Sequence, residues 1–285
     1  WQVEAAVKLI DEGNTIPFIS RYRKEATGTL NDEQLRNLNE RLTYLRNLED
    51  KKAQVLGSIE EQGKLTDELK KQIEAVMTMV ALEDLYRPYR PKRRTRATIA
   101  KEKGLEPLAE ILRAQATTRT IEEEATAFVD AEKGVESVQD AIDGAKDILA
   151  EVYADDADYR TKLRAMTKES GSLVAKAKDE EADSVYEMYY DFSEPIKKLV
   201  GHRILAINRG EAEKFLTVKI EAPRQEILLW LVKQIIGNMK HDSASYLYEA
   251  ITDSYDRLIA PSIEREIRNE LTEKAEEGAI GVFGK

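Results

Sequence analysis

The stretch Asn31-Asp-Glu-Gln-Leu-Arg-Asn-Leu-Asn-Glu-Arg-Leu-Thr-Tyr-Leu-Arg-Asn-Leu-Glu-Asp-Lys-Lys-Ala-Gln-Val-Leu-Gly-Ser-Ile-Glu-Glu-Gln-Gly63 decides the fold class. Asn31 and Gln34 have the spacing of a capping box, in which each side chain satisfies a backbone N–H that the first helical turn leaves unpaired. Leu35, Leu38, Leu42, Leu45, Leu48, Val55, Leu56 and Ile59 then line one side until Gly63. The pattern predicts a helix of about 30 residues, roughly 45 Å at 1.5 Å per residue. A lone helix of that length needs a partner for its apolar face, so it is expected to be one arm of a helical hairpin or a spine across domains.

Helix signals continue on both sides. Val3, Ala6, Val7 and Ile10 share one face of a segment from Trp1 to Glu12, with Gly13 as the stop. Pro17 can open the next helix, through Phe18, Ile19 and Tyr22 to Gly28. Thr66 can cap a further helix, and another covers Val80 to Tyr86. Helices are expected near 106–115, 119–131, 137–154 and 156–169. The 172–200 region reads as helix with a break near Pro195, its aromatics Tyr186, Tyr189, Tyr190 and Phe192 serving as core. Arg203-Ile-Leu-Ala-Ile207 and Phe215-Leu-Thr-Val-Lys-Ile220 read as a β-hairpin around a Gly-containing loop. Beyond Pro223 comes a strongly apolar helix with Trp230, then a helix capped by Ser243. The last helix runs from about Ser254 to Phe283, kinked or restarted at Pro261. The fold expected is mainly α, a multi-helix assembly with one long helix and one β-hairpin. Three regions with soft limits are expected, at 1–120, 121–200 and 201–285.

The chain has 285 residues and a net charge of −10, with 42% hydrophobic and 34% charged residues and no cysteine. That is enough for one large or two modest domains with a real core. Disulfides and thiolate metal sites are excluded, which suits a reducing, cytoplasmic compartment. No apolar run approaches the ~18 residues of a membrane span. Charge is uneven: +3 over residues 1–120, −11 over 121–190 and −2 over 191–285. A bound nucleic acid would meet the first part and be repelled by the middle.

One segment runs against that background. Asp84-Leu-Tyr-Arg-Pro-Tyr-Arg-Pro-Lys-Arg-Arg-Thr-Arg96 carries six Arg or Lys in thirteen residues. Pro88 and Pro91 favour a stiff, extended strap over a helix. Two readings of it stand side by side. Arg87, Arg90, Lys92, Arg93, Arg94 and Arg96 can clamp phosphates while Tyr89 stacks on a base. Alternatively, the guanidinium groups pair with this chain's abundant carboxylates and the strap is structural.

The strap continues as Ala97-Thr-Ile-Ala-Lys-Glu-Lys-Gly-Leu-Glu-Pro-Leu-Ala109. Upstream stands Gly13-Asn-Thr-Ile-Pro-Phe-Ile-Ser-Arg-Tyr-Arg-Lys-Glu-Ala-Thr-Gly28, and downstream Tyr255-Asp-Arg-Leu-Ile-Ala-Pro-Ser-Ile-Glu-Arg-Glu-Ile-Arg268. These long, specific motifs resemble the N-terminal half of the Tex family of bacterial transcription accessory proteins, over the whole chain. The resemblance implies a helical assembly with a helix-turn-helix-like part. It also implies that an RNase H-like (YqgF-type) domain, a helix-hairpin-helix region and a C-terminal OB-fold RNA-binding domain follow in the full protein. With no initiating Met, the chain is expected to be a piece trimmed at both ends. A second basic element, Arg21-Tyr-Arg-Lys24, lies in the upstream motif. It is expected to converge with the strap on one surface.

No catalytic constellation, metal site or cofactor site emerges. The two histidines, His202 and His241, lack zinc-like spacing, and there is no phosphate-binding glycine loop. Ser243 or Ser245 beside His241 and Asp242 is adjacency in sequence, not triad geometry. The function expected is a non-enzymatic nucleic-acid-binding scaffold, with RNA or DNA held through Arg21, Arg23, Lys24 and the strap residues without sequence choice. Its partners would include the rest of its own protein and the transcription machinery, but no membrane. The alternative is a helical module that docks to transcription or ribosome-associated machinery, with the Arg cluster purely structural.

Overall fold

The computed structural model describes residues 1–91 and 93–283, with side chains through 279. It is mainly α-helical and divides into two compact units, Trp1–Arg90 and Pro91–Lys285. The dividing point falls inside the basic strap.

In the first unit, helices α1 (Gln2–Asp11), α2 (Ile16–Tyr22) and α3 (Lys24–Thr27) precede the long α4 (Asp32–Glu61), which α5 (Asp67–Ala75) and α6 (Met79–Tyr86) follow. The Asn31–Gln34 capping box is formed: Gln34 N donates to Asn31 Oδ1 at 2.8 Å and Asn31 N to Gln34 Oε1 at 3.0 Å. The long helix is a spine with two separate apolar clusters. Leu35 packs with Ala6, Leu9 and Ile19 near its start. Leu48, Val55 and Ile59 pack with Leu69, Ile73 and Leu82 towards its end. Pro17 sits in the first turn of α2, where its missing N–H costs nothing.

The second unit opens with α7 (Arg96–Glu102) and α8 (Glu106–Ala114), then α9 (Ile121–Thr126), α10 (Val138–Asp155) and α11 (Ala157–Ser170). Helix α10 is central, and its inward positions are mostly small: Ala141, Gly144, Ala145 and Ala150 are buried. Gly144 matters because any Cβ there would lie 2.2 Å from Leu105 Cδ1. Its absence lets the segment at Leu105 approach the helix closely.

Here the structure corrects two sequence expectations. The 172–200 region is not the α-helix expected. It holds strands β1 (Ser172–Ala177) and β2 (Asp191–Pro195). The expected hairpin partner 203–207 lies in helix α12 (Gly201–Ala212), while 216–221 is strand β3 (Leu216–Glu221). The sheet is antiparallel in the order β2-β1-β3, with Leu173 opposite both Glu194 and Ile220. The physical reason is that short apolar runs are ambiguous in period. Ile204 and Ile207 are spaced i, i+3 and face the core from a helix, whereas Leu173-Val-Ala175 is buried on both faces as the central strand. The aromatic cluster is core as expected: Tyr186 and Tyr189 are buried with Leu173, Ala175, Ile207 and Leu216.

Helices α13 (Arg224–Ile235), α14 (Ser243–Asp253) and α15 (Ala260–Phe283) complete the chain. Between α14 and α15 the helix does not break. Ser254–Ile259 widens to a π-turn, so Pro261 enters at the start of a new α segment. Buried Ser254 donates from Oγ to the carbonyl of Ala150 at 2.5 Å and ties this widened turn to α10.

Candidate nucleic-acid interface

The strap is less extended than its prolines suggest. Arg87–Tyr89 continue α6 as a 3-10 turn with Pro88 near its start, since φ near −65° suits a first helical turn as well as a strap. Among the described strap residues, Arg90, Pro91, Arg93, Arg94 and Thr95 lie outside helices; Lys92 lies outside the described residues. Thr95 then caps α7, accepting from Thr98 N at 3.2 Å, and its hydroxyl donates to Glu151 at 2.9 Å.

Most strap cations face this chain's own groups. Arg90 pairs with Glu83, and its guanidinium lies 5.6 Å from the Tyr86 ring centroid, with Lys51 Nζ also over that ring at 6.0 Å. The Tyr86 hydroxyl donates to Ser58 Oγ at 3.0 Å, and Gln62 Nε2 donates to the Tyr89 carbonyl at 2.7 Å. Arg87 and Tyr89 are half-buried, and Tyr89 packs on the second apolar cluster of α4. Arg94 reaches Glu102 at 3.3 Å with both side chains mostly in water, a contact worth little by itself. Arg93 is exposed and has no ion pair among the described residues.

Arg96, the first residue of α7, lines a groove with Asp143, Lys146, Asp147, Glu249 and Asp253. Burial raises the Asp147 carboxyl above its usual range, against the opposing pull of Arg257 and Arg96. A carboxyl whose folded pKa is raised favours the protonated fold. Its contribution is complete below the unfolded value of about 3.9 and is lost as pH rises through the folded one. Asp147→Asn is therefore expected to raise Tm slightly at pH 7, by the order of 1 °C, and to leave it unchanged near pH 3. Thermal melts at the two pH values check this, and an equal effect at both would contradict it.

The second basic element is differently placed. Arg21 and Lys24 are exposed and have no ion pair among the described residues, and Arg23 contacts Glu25 at 3.4 Å. Beside them Phe18 and Tyr22 stand one turn apart on α2, 42% and 61% exposed. Their ring centroids are 5.3 Å apart at an interplanar angle of 48°. Residue spacing alone did not single out Phe18 and Tyr22, because aromatics one helical turn apart ordinarily pack inward. Here Ile19 takes the inward position and leaves them outside.

The expected convergence of the two basic elements is not found within the first unit. Helix α2 packs near Leu35, whereas Tyr86 and Tyr89 are held by Ser58 and Gln62. Along α4 that separation is roughly 35 Å at 1.5 Å per residue. Within this unit the long helix keeps Arg21–Lys24 apart from Arg87–Arg90, and no sequence period reports which end of it each of these segments joins.

The histidine cluster is structural. His241 Nε2 lies 2.9 Å from the Thr117 carbonyl and Nδ1 2.7 Å from Ser243 Oγ. Asp242 accepts from Ile121 N at 2.7 Å rather than orienting the imidazole. The three residues stitch the segment before α9 to the start of α14. Among the described residues, no group of three or more His, Cys, Asp or Glu side chains could hold a metal ion, and no helix is long and apolar enough to cross a membrane.

A mainly helical chain of two units, with an exposed aromatic and basic face on the first, has clear relatives. Residues 116–283 match the Tex central region-like family and residues 1–60 the Tex-like protein N-terminal domain. The chain belongs to the Tex family. It is 41% identical over all its length to "Transcriptional accessory protein Tex" of Neisseria gonorrhoeae, covering 38% of that protein. It is 46% identical over 99% of its length to "Uncharacterized protein YdcI" of Bacillus subtilis, covering 40% of that protein. It is also 31% identical over its full length to human "S1 RNA-binding domain-containing protein 1", covering 30% of that protein. The chain thus spans about two fifths or less of the relatives it matches.

Proposed function

We propose that this chain is a non-enzymatic scaffold of a cytoplasmic Tex-like transcription accessory protein, and that it contacts nucleic acid without sequence choice. One observation carries the reading: the exposed Phe18–Tyr22 ring pair with exposed Arg21 and Lys24 beside it. Aromatic faces accept any base and cations beside them hold the backbone, the combination that suits unstacked single strands. Arg23 and Arg93 are the next candidates for phosphate contact. Two relatives named for transcription accessory function and for an S1 RNA-binding domain support the same direction. The strap residues Tyr89, Arg90, Arg94 and Arg96 fit the other reading better, because they lean on carboxylates or on the apolar clusters of this chain.

The test is fluorescence anisotropy with labelled single-stranded RNA and duplex DNA across about 50–200 mM salt. Phe18→Ala with Tyr22→Ala is expected to weaken single-strand binding by at least about tenfold, since each stacked base contributes on the order of 1–3 kcal/mol. Arg21→Ala with Lys24→Ala is expected to lower the salt slope by about 1–2. Unchanged affinity in both variants, with an unchanged circular dichroism spectrum, would remove nucleic-acid contact from α2. A second reading, a protein-docking module with its arginines as internal staples, is favoured at one place by the Arg90–Glu83–Tyr86 cluster.

A further inference from the structure

The connection between β1 and β2 presents an apolar pair that the fold does not use. Val185 is 84% exposed and Met188 is 74% exposed. They are three residues apart across the turn that ends in the short 3-10 helix Glu187–Tyr189, and so lie on one side of it. Tyr186 and Tyr189, also three apart, lie on the other side and are buried against the sheet and α12.

The turn is held in place. The Tyr190 hydroxyl donates to the Ala182 carbonyl at 2.6 Å and lies 2.8 Å from Ser184 Oγ, and Tyr186 N donates to Ser184 Oγ at 3.1 Å. The Tyr186 and Phe215 rings lie 5.8 Å apart. A loose loop could fold its apolar side chains away from water. This one is fixed from behind by two buried tyrosines and keeps them out.

The connection itself carries mostly one sign of charge. Asp179, Glu180, Glu181, Asp183 and Glu187 are all exposed, and none has an ion pair among the described residues. Lys178 is the one cation between residues 178 and 190, and Lys176 is paired with Asp191 at 3.3 Å. Phosphate backbones are repelled from such a rim. A cationic polypeptide with apolar side chains is attracted and can cover Val185 and Met188.

We infer that this turn is a docking site for a basic amphipathic segment of a partner protein, with Val185 and Met188 as anchors and the carboxylate rim as the steering field. It is independent of the nucleic-acid reading, which rests on the other unit.

The experiment uses the whole chain and three labelled helical peptides of about 15 residues, the length at which isolated helices become stable. One is built of Lys and Leu, one of Lys and Ser, and one of Glu and Leu. The Lys/Leu peptide is expected to bind, with the other two at least about tenfold weaker. Val185→Ser with Met188→Ser is expected to weaken Lys/Leu binding about tenfold, as loss of two buried apolar anchors requires. The same variant should keep the parent's thermal melt and its affinity for single-stranded RNA.

No binding of the Lys/Leu peptide by the parent would overturn the inference. So would equal binding of the Lys/Ser peptide, which would reduce the effect to charge alone. Loss of RNA binding in the serine variant would assign the surface to nucleic acid instead. Binding of the Lys/Leu peptide that the serine variant retains would place its contact elsewhere.

Discussion

Arg160→Ala is expected to destabilise the second unit by about 3–5 kcal/mol, the range for breaking a buried, hydrogen-bonded ion pair by removing one partner. Arg160 has no exposed surface. It donates to Ser262 Oγ at 2.6 Å, to Glu266 Oε1 at 3.1 Å and to the Ala154 carbonyl at 3.3 Å. One side chain on α11 thereby holds the end of α10 and the start of α15. Arg164 Nε reaches the second oxygen of the same carboxylate at 3.0 Å.

Alanine would leave a large void as well as broken bonds. Arg160→Met should recover about half the loss or more, because it refills the volume while Arg164 still balances Glu266. Urea unfolding of the three proteins, followed by Trp230 fluorescence in a Trp1→Phe background, separates the two contributions. A loss below about 1 kcal/mol for alanine would show that the cluster does not clamp these helices. Equal losses for Met and Ala would assign the effect to the hydrogen bonds and not to volume.

Gly171→Ala comes next, with an expected cost of about 3 kcal/mol, at the upper end for forcing extra atoms into a packed site. Gly171 ends α11 and leads into β1 with φ −83° and ψ 164°, a conformation open to any residue, so strain in φ is not the issue. Space is. A Cβ would lie 2.3 Å from the Thr167 carbonyl oxygen, 3.1 Å from Ile196 Cδ1 and 3.2 Å from the Glu221 carbonyl oxygen. Two of the three obstacles are backbone, and a side-chain rotation cannot relieve them.

Gly171 N also donates to that same Thr167 oxygen at 2.7 Å, and its own carbonyl accepts from Ile196 N at 3.0 Å. Moving the residue to make room would break both. At 2–4 °C per kcal/mol for a unit of this size, the melting point should fall by roughly 6–12 °C. A fall under about 2 °C would mean that the helix end and the sheet can separate freely, against the close packing observed.

Helices with long, regular apolar patterns were legible in advance. The capping box at Asn31, the run from Leu35 to Ile59 and the proline at the start of α2 act through neighbours within four residues. They hold wherever the segment sits. The 172–221 region was misread because its signals are short. Ile204 and Ile207 satisfy a strand or a helix equally well, and Leu173 to Ala175 become a central strand only once β2 and β3 flank them. The basic strap shows the same limit in charge. Six cations within thirteen residues were plain to see, but whether each meets a phosphate or a carboxylate depends on Glu83 and Glu102, which residue spacing does not single out.

By itself, the sequence determined the helical class, the spine helix, the absence of thiol chemistry and the family of the chain. These follow from local periodicity, from composition and from long motifs. Tertiary structure alone decided that Arg21 and the first strap residues, Arg87 to Arg90, are held near opposite ends of that spine, that Phe18 and Tyr22 face water while Ile19 faces inward, and that Val185 and Met188 are held outward by the tyrosines beside them. Exposure belongs to the packed molecule. A side chain is outside only when its neighbours, often a hundred residues away, have taken every place inside.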